Sequence, residues 1–240
     1  MPGFVFYDGP GLIDGAPIVG IAVLSSVNGK TGNMVQTYIL RADQAPLDAI
    51  RAGDDESICG DCMHRPALGG SCYVDVSTSV TSVFSAWVRG SYPLFAPAAA
   101  TAAVAGRMVR MGTYGDPAAI PAGVWRALLR RAAGRTGYTH QWRRAYARGL
   151  RGLAMASVDT VPERDVARAL GWRTFRVRTA DQALGAREIV CPASDEGRNR
   201  RQCITCRACD GAAERGSVQA SVAIIVHGAR ASRFIPIAAA

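Results

Sequence analysis

Seven cysteines stand in two groups whose spacing suits metal chemistry. In the first, Cys59-Gly60-Asp61-Cys62-Met63-His64 is followed by Cys72, bringing together three sulfurs and one imidazole, the ligand set of a closed zinc site. The bland alternative is that His64 and Cys72 are buried neighbours of a C-x2-C knuckle. In the second, Cys203-x2-Cys206-x2-Cys209 places three thiols within seven residues, and Cys191, just before Pro192, is the candidate fourth. Soft thiolates suit a [4Fe–4S] cluster or zinc equally. Ferredoxin-type ligation sets its Cys-Pro after the triplet, whereas here it comes before. With all four positions filled by sulfur, that centre would be structural or electron-transferring. The odd cysteine count speaks against a disulfide framework.

Three further residues could do acid–base work. Asp116, His140 and Asp159 each follow a predicted strand, the place where parallel βα sheets and barrels gather ligands. A histidine between two carboxylates serves as a general acid or base. Asp116-Pro117 and Asp159-Thr160 read equally well as turns or helix caps. The signatures of zincins, α/β-hydrolases and zinc deaminases are absent, since there is no H-E-x-x-H, no G-x-S-x-G and no H-x-E paired with P-C-x-x-C. Gly29-Lys30-Thr31 resembles the end of a phosphate-binding loop, but Leu24 stands where the first glycine is required.

Charge adds a candidate polyanion surface. The chain carries a net +9, and Lys30 is its only lysine. Between Pro117 and Val158 there is no acidic residue, while Arg126, Arg130, Arg131, Arg135, Arg143, Arg144, Arg148 and Arg151 all fall there. Arginine for phosphate with Trp142 and Tyr146 for stacked bases is the composition of a single-strand nucleic-acid groove. A solvated helix face with core aromatics is the competing reading.

The elements that must position these groups can be read from periodicity. At 240 residues with 49% hydrophobic and 20% charged residues, the chain suffices for one domain that buries about 70–75% of its unfolded surface. Pro17–Leu24 and Met34–Leu40 flank the Asn28-Gly29 turn signal and predict a hairpin. Asp43 is a candidate cap for a helix over 45–52. From Gly106 onward, short apolar runs alternate with helical stretches, predicting strands near 109–112, 136–141, 153–158, 172–177, 188–191 and 221–226 and helices over 121–133 and 162–170. A single domain over 1–240 is expected, with a hairpin and Cys/His loop subregion over 1–90 and a βα subregion with the C-terminal cysteines over 91–240. Leu94–Gly106 is too short and proline-interrupted to span a membrane. Met1–Gly9 lacks a basic n-region, so residence in the cytoplasm of a bacterial host is the expectation.

The strings Tyr7-Asp8-Gly9-Pro10, Ile58-Cys59-Gly60-Asp61-Cys62, Cys72-Tyr73-Val74, Tyr114-Gly115-Asp116-Pro117, Gly137-Tyr138-Thr139-His140-Gln141-Trp142, Met155-Ala156-Ser157-Val158-Asp159 and Cys191-Pro192-Ala193-Ser194 resemble an uncharacterised family of bacteriophage and prophage proteins. The resemblance spans nearly the whole chain and implies a phage or integrated-element origin. More distantly, Cys72-Tyr73 ahead of βα repeats resembles radical-SAM-like phage proteins, although neither cysteine group has the C-x3-C-x2-C spacing of radical-SAM enzymes.

Together these readings predict an α/β protein, an incomplete (β/α) barrel or parallel sheet with an N-terminal hairpin and metal-binding loops. The expected function is a phage-type metal- or Fe–S-dependent enzyme acting on a nucleotide or nucleic acid. Zinc is expected at the N-terminal Cys/His site, and a [4Fe–4S] cluster or zinc at the C-terminal cysteines. The alternative is a non-catalytic, zinc-stapled module that binds DNA or RNA through Arg143, Arg144, Arg148, Trp142 and Tyr146.

Overall fold

The computed structural model describes residues 2–198, 201–212 and 220–235. These form a nine-stranded open sheet in the order β1-β2-β3-β4-β5-β6-β7-β9-β8. β1 (Gly3–Pro10), β2 (Pro17–Val23) and β3 (Val35–Arg41) make an antiparallel meander. The connection between β2 and β3 carries Asn28-Gly29 as expected, while β1, with its Gly and Pro ends, is a strand that periodicity did not predict. From β3 onward every pairing is parallel, through β4 (Met108–Tyr114), β5 (Gly134–Thr139), β6 (Met155–Val158), β7 (Thr174–Arg178), β8 (Glu188–Val190) and β9 (Ser221–Ile225). One sheet thus runs through both expected subregions, and it does not close.

Helices lie between the strands. α1 (Pro46–Ala52), α2 (Glu56–Cys59), α3 (Thr81–Val88) and α4 (Pro97–Ala103) separate β3 from β4, α5 (Ala122–Leu129) joins β4 to β5, and α6 (Val161–Ala169) joins β6 to β7. A single turn, α7 (Cys203–Cys206), precedes β9. The cap expected from Asp43 is not made. Ala45 stands at that position, Pro46 opens the helix, and the Asp43 carboxylate instead takes both Nε and Nη2 of Arg41.

Alternation along the parallel strands decides what each sheet face does. Val109, Met111, Ala156 and Val158 point to the side where Trp125, Leu128 and Ala167 of α5 and α6 pack, forming the main core. The neighbours in register, Arg110, Thr136, Tyr138, Phe175, Val177 and Ile224, face the other way and line a cavity of about 520 Å3. Among the described residues, only short helical turns, including α7, border the chamber on that side. It is walled by the two cysteine-bearing segments, so the sheet offers a chamber where a doubly wound protein would have its second helical layer.

Candidate active site

The chamber collects groups from both ends of the chain, among them Cys59, Cys62 and Cys72 on one wall and Cys191, Cys203, Cys206 and Cys209 on another. All seven thiols are free.

The first wall is built around a buried ion pair. Arg65 donates to Asp55 at 2.8 Å and to Glu56 at 2.7 Å, fastening the loop after α2 onto that helix. Gly60 ends α2 at φ +60, and a Cβ there would lie 2.4 Å from the Gln141 side chain. That close approach lets Gln141 Nε2 reach the Cys59 carbonyl and the Asp61 carboxylate, tying the end of β5 to the cysteine loop. Gly70 passes against the His64 backbone, 2.5 Å from where its Cβ would sit, and the Cys72 N–H donates to the His64 carbonyl. The loop from 64 to 72 thereby returns Cys72 toward Cys62.

His64 differs from its expected role. Its Nε2 meets Asp159 Oδ2 at 2.6 Å and its Nδ1 meets Ser71 Oγ at 2.8 Å, so neither nitrogen is free to ligate. An ionised carboxylate only accepts, which makes Nε2 the donor to Asp159 and leaves Nδ1 to accept the Ser71 hydroxyl. Asp159 is available because the next residue takes over the helix start: Thr160 Oγ1 caps α6 by accepting from Glu163 N–H, and Glu163 Oε2 accepts the Asp159 N–H. The second oxygen of Asp159, Oδ1, is buried with no partner among the described residues.

Asp116 and His140 line the chamber together with His64, whereas Asp159 is not among its lining residues and reaches this group through His64. Asp116 Oδ2 accepts the His140 N–H at 2.7 Å while Oδ1 accepts from Ala118 N–H, so it is both a cap and a site residue. Burial raises its carboxyl above the usual range, opposed by those donors and by His140. The His140 and His64 rings lie 5.7 Å apart. The expectation of one histidine between two carboxylates is corrected, because Asp159 pairs with His64, which belongs to a different segment.

On the second wall, the segment carrying the remaining cysteines is pinned by backbone bonds. Cys191 N–H donates to Ala223 in β9, and the N–H groups of Cys203 and Ile204 donate to Lys30 and Thr31 in the hairpin connection. Cys191 and Cys209 pack with Met155, Val222 and Ile224 on the cavity face of the sheet. Burial pushes the Cys209 thiol up to about 12, and on the first wall burial likewise pushes Cys62 up to about 12. These two thiols therefore stand protonated at neutral pH, and a cation bound by them would have to displace those protons. Their soft donor chemistry fits a thiophilic metal. As placed, however, no three His, Cys, Asp or Glu side chains among the described residues are close enough together to hold a metal ion. The two closed four-ligand shells expected from spacing, Cys59/Cys62/His64/Cys72 and Cys191/Cys203/Cys206/Cys209, are not formed, and the first loses its imidazole to Asp159.

The arginine window is mostly internally committed. Trp142 is buried, its Nε1 donates to the Ser157 carbonyl, and Arg143 stacks on its ring at 3.9 Å. It cannot stack on a base, which corrects that expectation. Tyr146 is half-buried and donates to Gln141. Arg143 pairs with Glu163 and Arg144 with Asp61, both acids lying outside the window. Arg148 is exposed and, with Arg130 and Arg131, makes no ion pair among the described residues.

Two chamber residues, Arg110 and His227, carried no signal at the level of motifs, and Lys30 stood out only in Gly29-Lys30-Thr31. Arg110 Nη2 donates to the Tyr73 hydroxyl at 2.6 Å and its guanidinium lies 5.1 Å from the Tyr138 ring. Lys30 Nζ lies 2.7 Å from His227 Nε2, and the His227 ring stacks near Tyr73. Burial and the Lys30 charge push His227 below its usual range, leaving it neutral and able to accept from Lys30.

Comparison with protein-family models, with curated proteins and with solved structures gives no match for this chain. No helix among the described residues is long and apolar enough to cross a membrane.

Proposed function

We propose that this chain is an enzyme of the bacteriophage-type family that the strings above resemble, holding a thiolate-bound metal and acting on a nucleotide-sized molecule inside the chamber. One observation carries the reading. Both cysteine groups, His64, His140 and Asp116 face a single cavity of about 520 Å3, within the roughly 300–1,000 Å3 of small-molecule sites. Cys59, Cys62 and Cys72 would have to draw together from their present positions to hold one group, zinc or an iron–sulfur cluster, and Cys191, Cys203, Cys206 and Cys209 to hold the other. Such a group supplies Lewis-acid or electron-transfer chemistry.

The protein's own share is proton handling. Asp159 orients His64 through Nε2, and Nδ1 accepts the hydrogen bond of the Ser71 hydroxyl, whose proton it would take. Asp116, kept toward its neutral form by burial, holds the backbone at His140 so that the two imidazoles share one end of the chamber.

Metal analysis and visible absorption on anaerobically purified protein test the proposal. Zinc or iron is expected, with Cys206→Ser losing the C-terminal share and keeping the N-terminal one. Protein free of both elements, or equal loss from both groups in Cys206→Ser, overturns it. The second reading, a zinc-stapled nucleic-acid module, is favoured only by the unpaired exposed Arg130, Arg131 and Arg148. Zinc-loaded protein that binds single strands and leaves the chamber unliganded would select it.

A further inference from the structure

We infer that Arg110, Lys30 and Thr136 form an anion subsite inside the chamber, built for a dianionic phosphate group. This rests on the chamber being a ligand site, as proposed above, but not on the metal.

Arg110 stands in the middle of β4 and is buried, with 7% of its surface exposed. Among the described residues no carboxylate lies within ion-pair distance of it; its contacts are the Tyr73 hydroxyl and the Tyr138 ring. A buried guanidinium without a counter-ion is costly unless an anion arrives. Thr136 is its register partner on β5. It is 2% exposed, and its Oγ1 is buried without any partner among the described residues. An orphaned hydroxyl beside an unpaired guanidinium, both lining the same cavity, forms an incomplete hydrogen-bonding site. Lys30 lines that cavity too, and among the described residues its ammonium pairs only with His227. Asp195, exposed, acts on Lys30 from beyond ion-pair distance.

Two positive charges with hydroxyl donors match a phosphate dianion better than a monoanionic carboxylate. Guanidinium binds phosphate in a fork, and ammonium acts as a point charge beside it. The competing role for these cations is to neutralise the thiolates of Cys191 and Cys203, which act electrostatically on Lys30.

Thr136→Val separates these roles, because the swap removes the orphaned hydroxyl at nearly constant shape and costs a structural protein nothing. Binding of inorganic phosphate, of a nucleoside monophosphate and of acetate to the full chain is measured by calorimetry at matched ionic strength, with metal content measured on every sample. The wild type is expected to bind both phosphates and not acetate. Thr136→Val is expected to bind about tenfold more weakly at unchanged melting temperature and metal content. Arg110→Lys, which keeps the charge and loses the fork, is expected to weaken binding further, and Lys30→Gln to weaken it without unfolding the chain. Tighter binding of the nucleoside monophosphate identifies a phosphorylated small molecule as the ligand; equal binding identifies the free anion. Absence of phosphate binding in the wild type, or metal loss in Lys30→Gln and Arg110→Lys with phosphate affinity intact, overturns the subsite. Phosphate binding by protein without metal leaves the subsite standing while the metal reading falls.

Discussion

Glu188→Gln should be among the most destabilising single changes in the protein. The Glu188 side chain is fully buried and that of Arg176 is 1% exposed, and they meet through Nε–Oε1 at 2.8 Å and Nη2–Oε2 at 2.6 Å. Oε2 also accepts the Gly185 N–H and faces Arg164 Nη1 at 3.8 Å. The amide keeps the shape and removes the charge, leaving Arg176 and the buried Arg164 to repel each other with no anion between them. Breaking such a pair from one side costs about 3–5 kcal/mol. At roughly 2–4 °C per kcal/mol for a domain of this size, the melting temperature should fall by about 6–20 °C. A pH series supplies the second half of the test. Burial raises the Glu188 carboxyl, but Arg176, the Gly185 N–H and Arg164 outweigh it, and the net shift is downward. A carboxyl held below its unfolded value of about 4.3 stabilises the fold at any pH above that value, and the contribution is lost as pH falls through the folded value. Thermal unfolding followed by circular dichroism should therefore show a constant gap between wild type and variant above about pH 5 that narrows in acid. A joint Arg176→Met, Glu188→Leu variant should recover most of the loss, since a buried pair is often matched by apolar packing. A single variant within about 1 kcal/mol of wild type, or a gap that persists into strong acid, would refute the reasoning.

Gly60→Ala should cost about 1–3 kcal/mol, since φ is +60 and the new methyl would meet Gln141 at 2.4 Å; an unchanged melting temperature speaks against the described end of α2. In proton NMR the His64 Nε2 proton, held by Asp159 at 2.6 Å, should give a sheltered downfield resonance that vanishes in Asp159→Ala while the fold persists; its survival in the variant would remove Asp159 as the orienting group. Trp142→Ala should destabilise the chain by about 3–5 kcal/mol whether or not nucleic acid is present, and Arg130, Arg131 and Arg148 changed to Gln should each flatten any single-strand salt slope by about 0.7. A Trp142→Ala protein of native stability that loses single-strand binding would restore the stacking role.

The parts of the fold that periodicity shows are those where one face is buried against helices. The strands beginning at Met108, Gly134, Met155, Thr174, Glu188 and Ser221 were legible because apolar runs alternate with the helical pattern of α5 and α6. β1 was not, because Tyr7-Asp8-Gly9-Pro10 ends in residues that favour turns and its pairing depends on β2 closing across it. Convergence of Asp116 and His140 was legible because both end adjacent parallel strands. The His64–Asp159 pair was not, since it joins residues 95 positions apart, and only tertiary packing brings them within reach. The aromatics of the arginine window misled for a related reason. A tryptophan flanked by Gln and Arg reads as exposed, yet Trp142 sits where the backbone after β5 turns under the sheet.

A charge in the middle of a parallel strand is the signal that would have located the chamber. In Val109-Arg110-Met111 the flanking residues are wholly buried in the core with Trp125, so alternation sends Arg110 to the opposite face. If that face were packed like the first, a guanidinium there would need a carboxylate, and none among the described residues reaches it. The next strand continues the pattern, with Thr136 and Tyr138 facing the chamber and Gly137 and Thr139 on the core side. Polar residues recurring at the same register on neighbouring parallel strands are incompatible with a second packed layer. They are what a sheet needs where one face meets a ligand. The cysteine segments over that face supply its walls, and the chamber lies where Arg110 and Thr136 interrupt a face otherwise lined by Tyr138, Phe175, Val177 and Ile224.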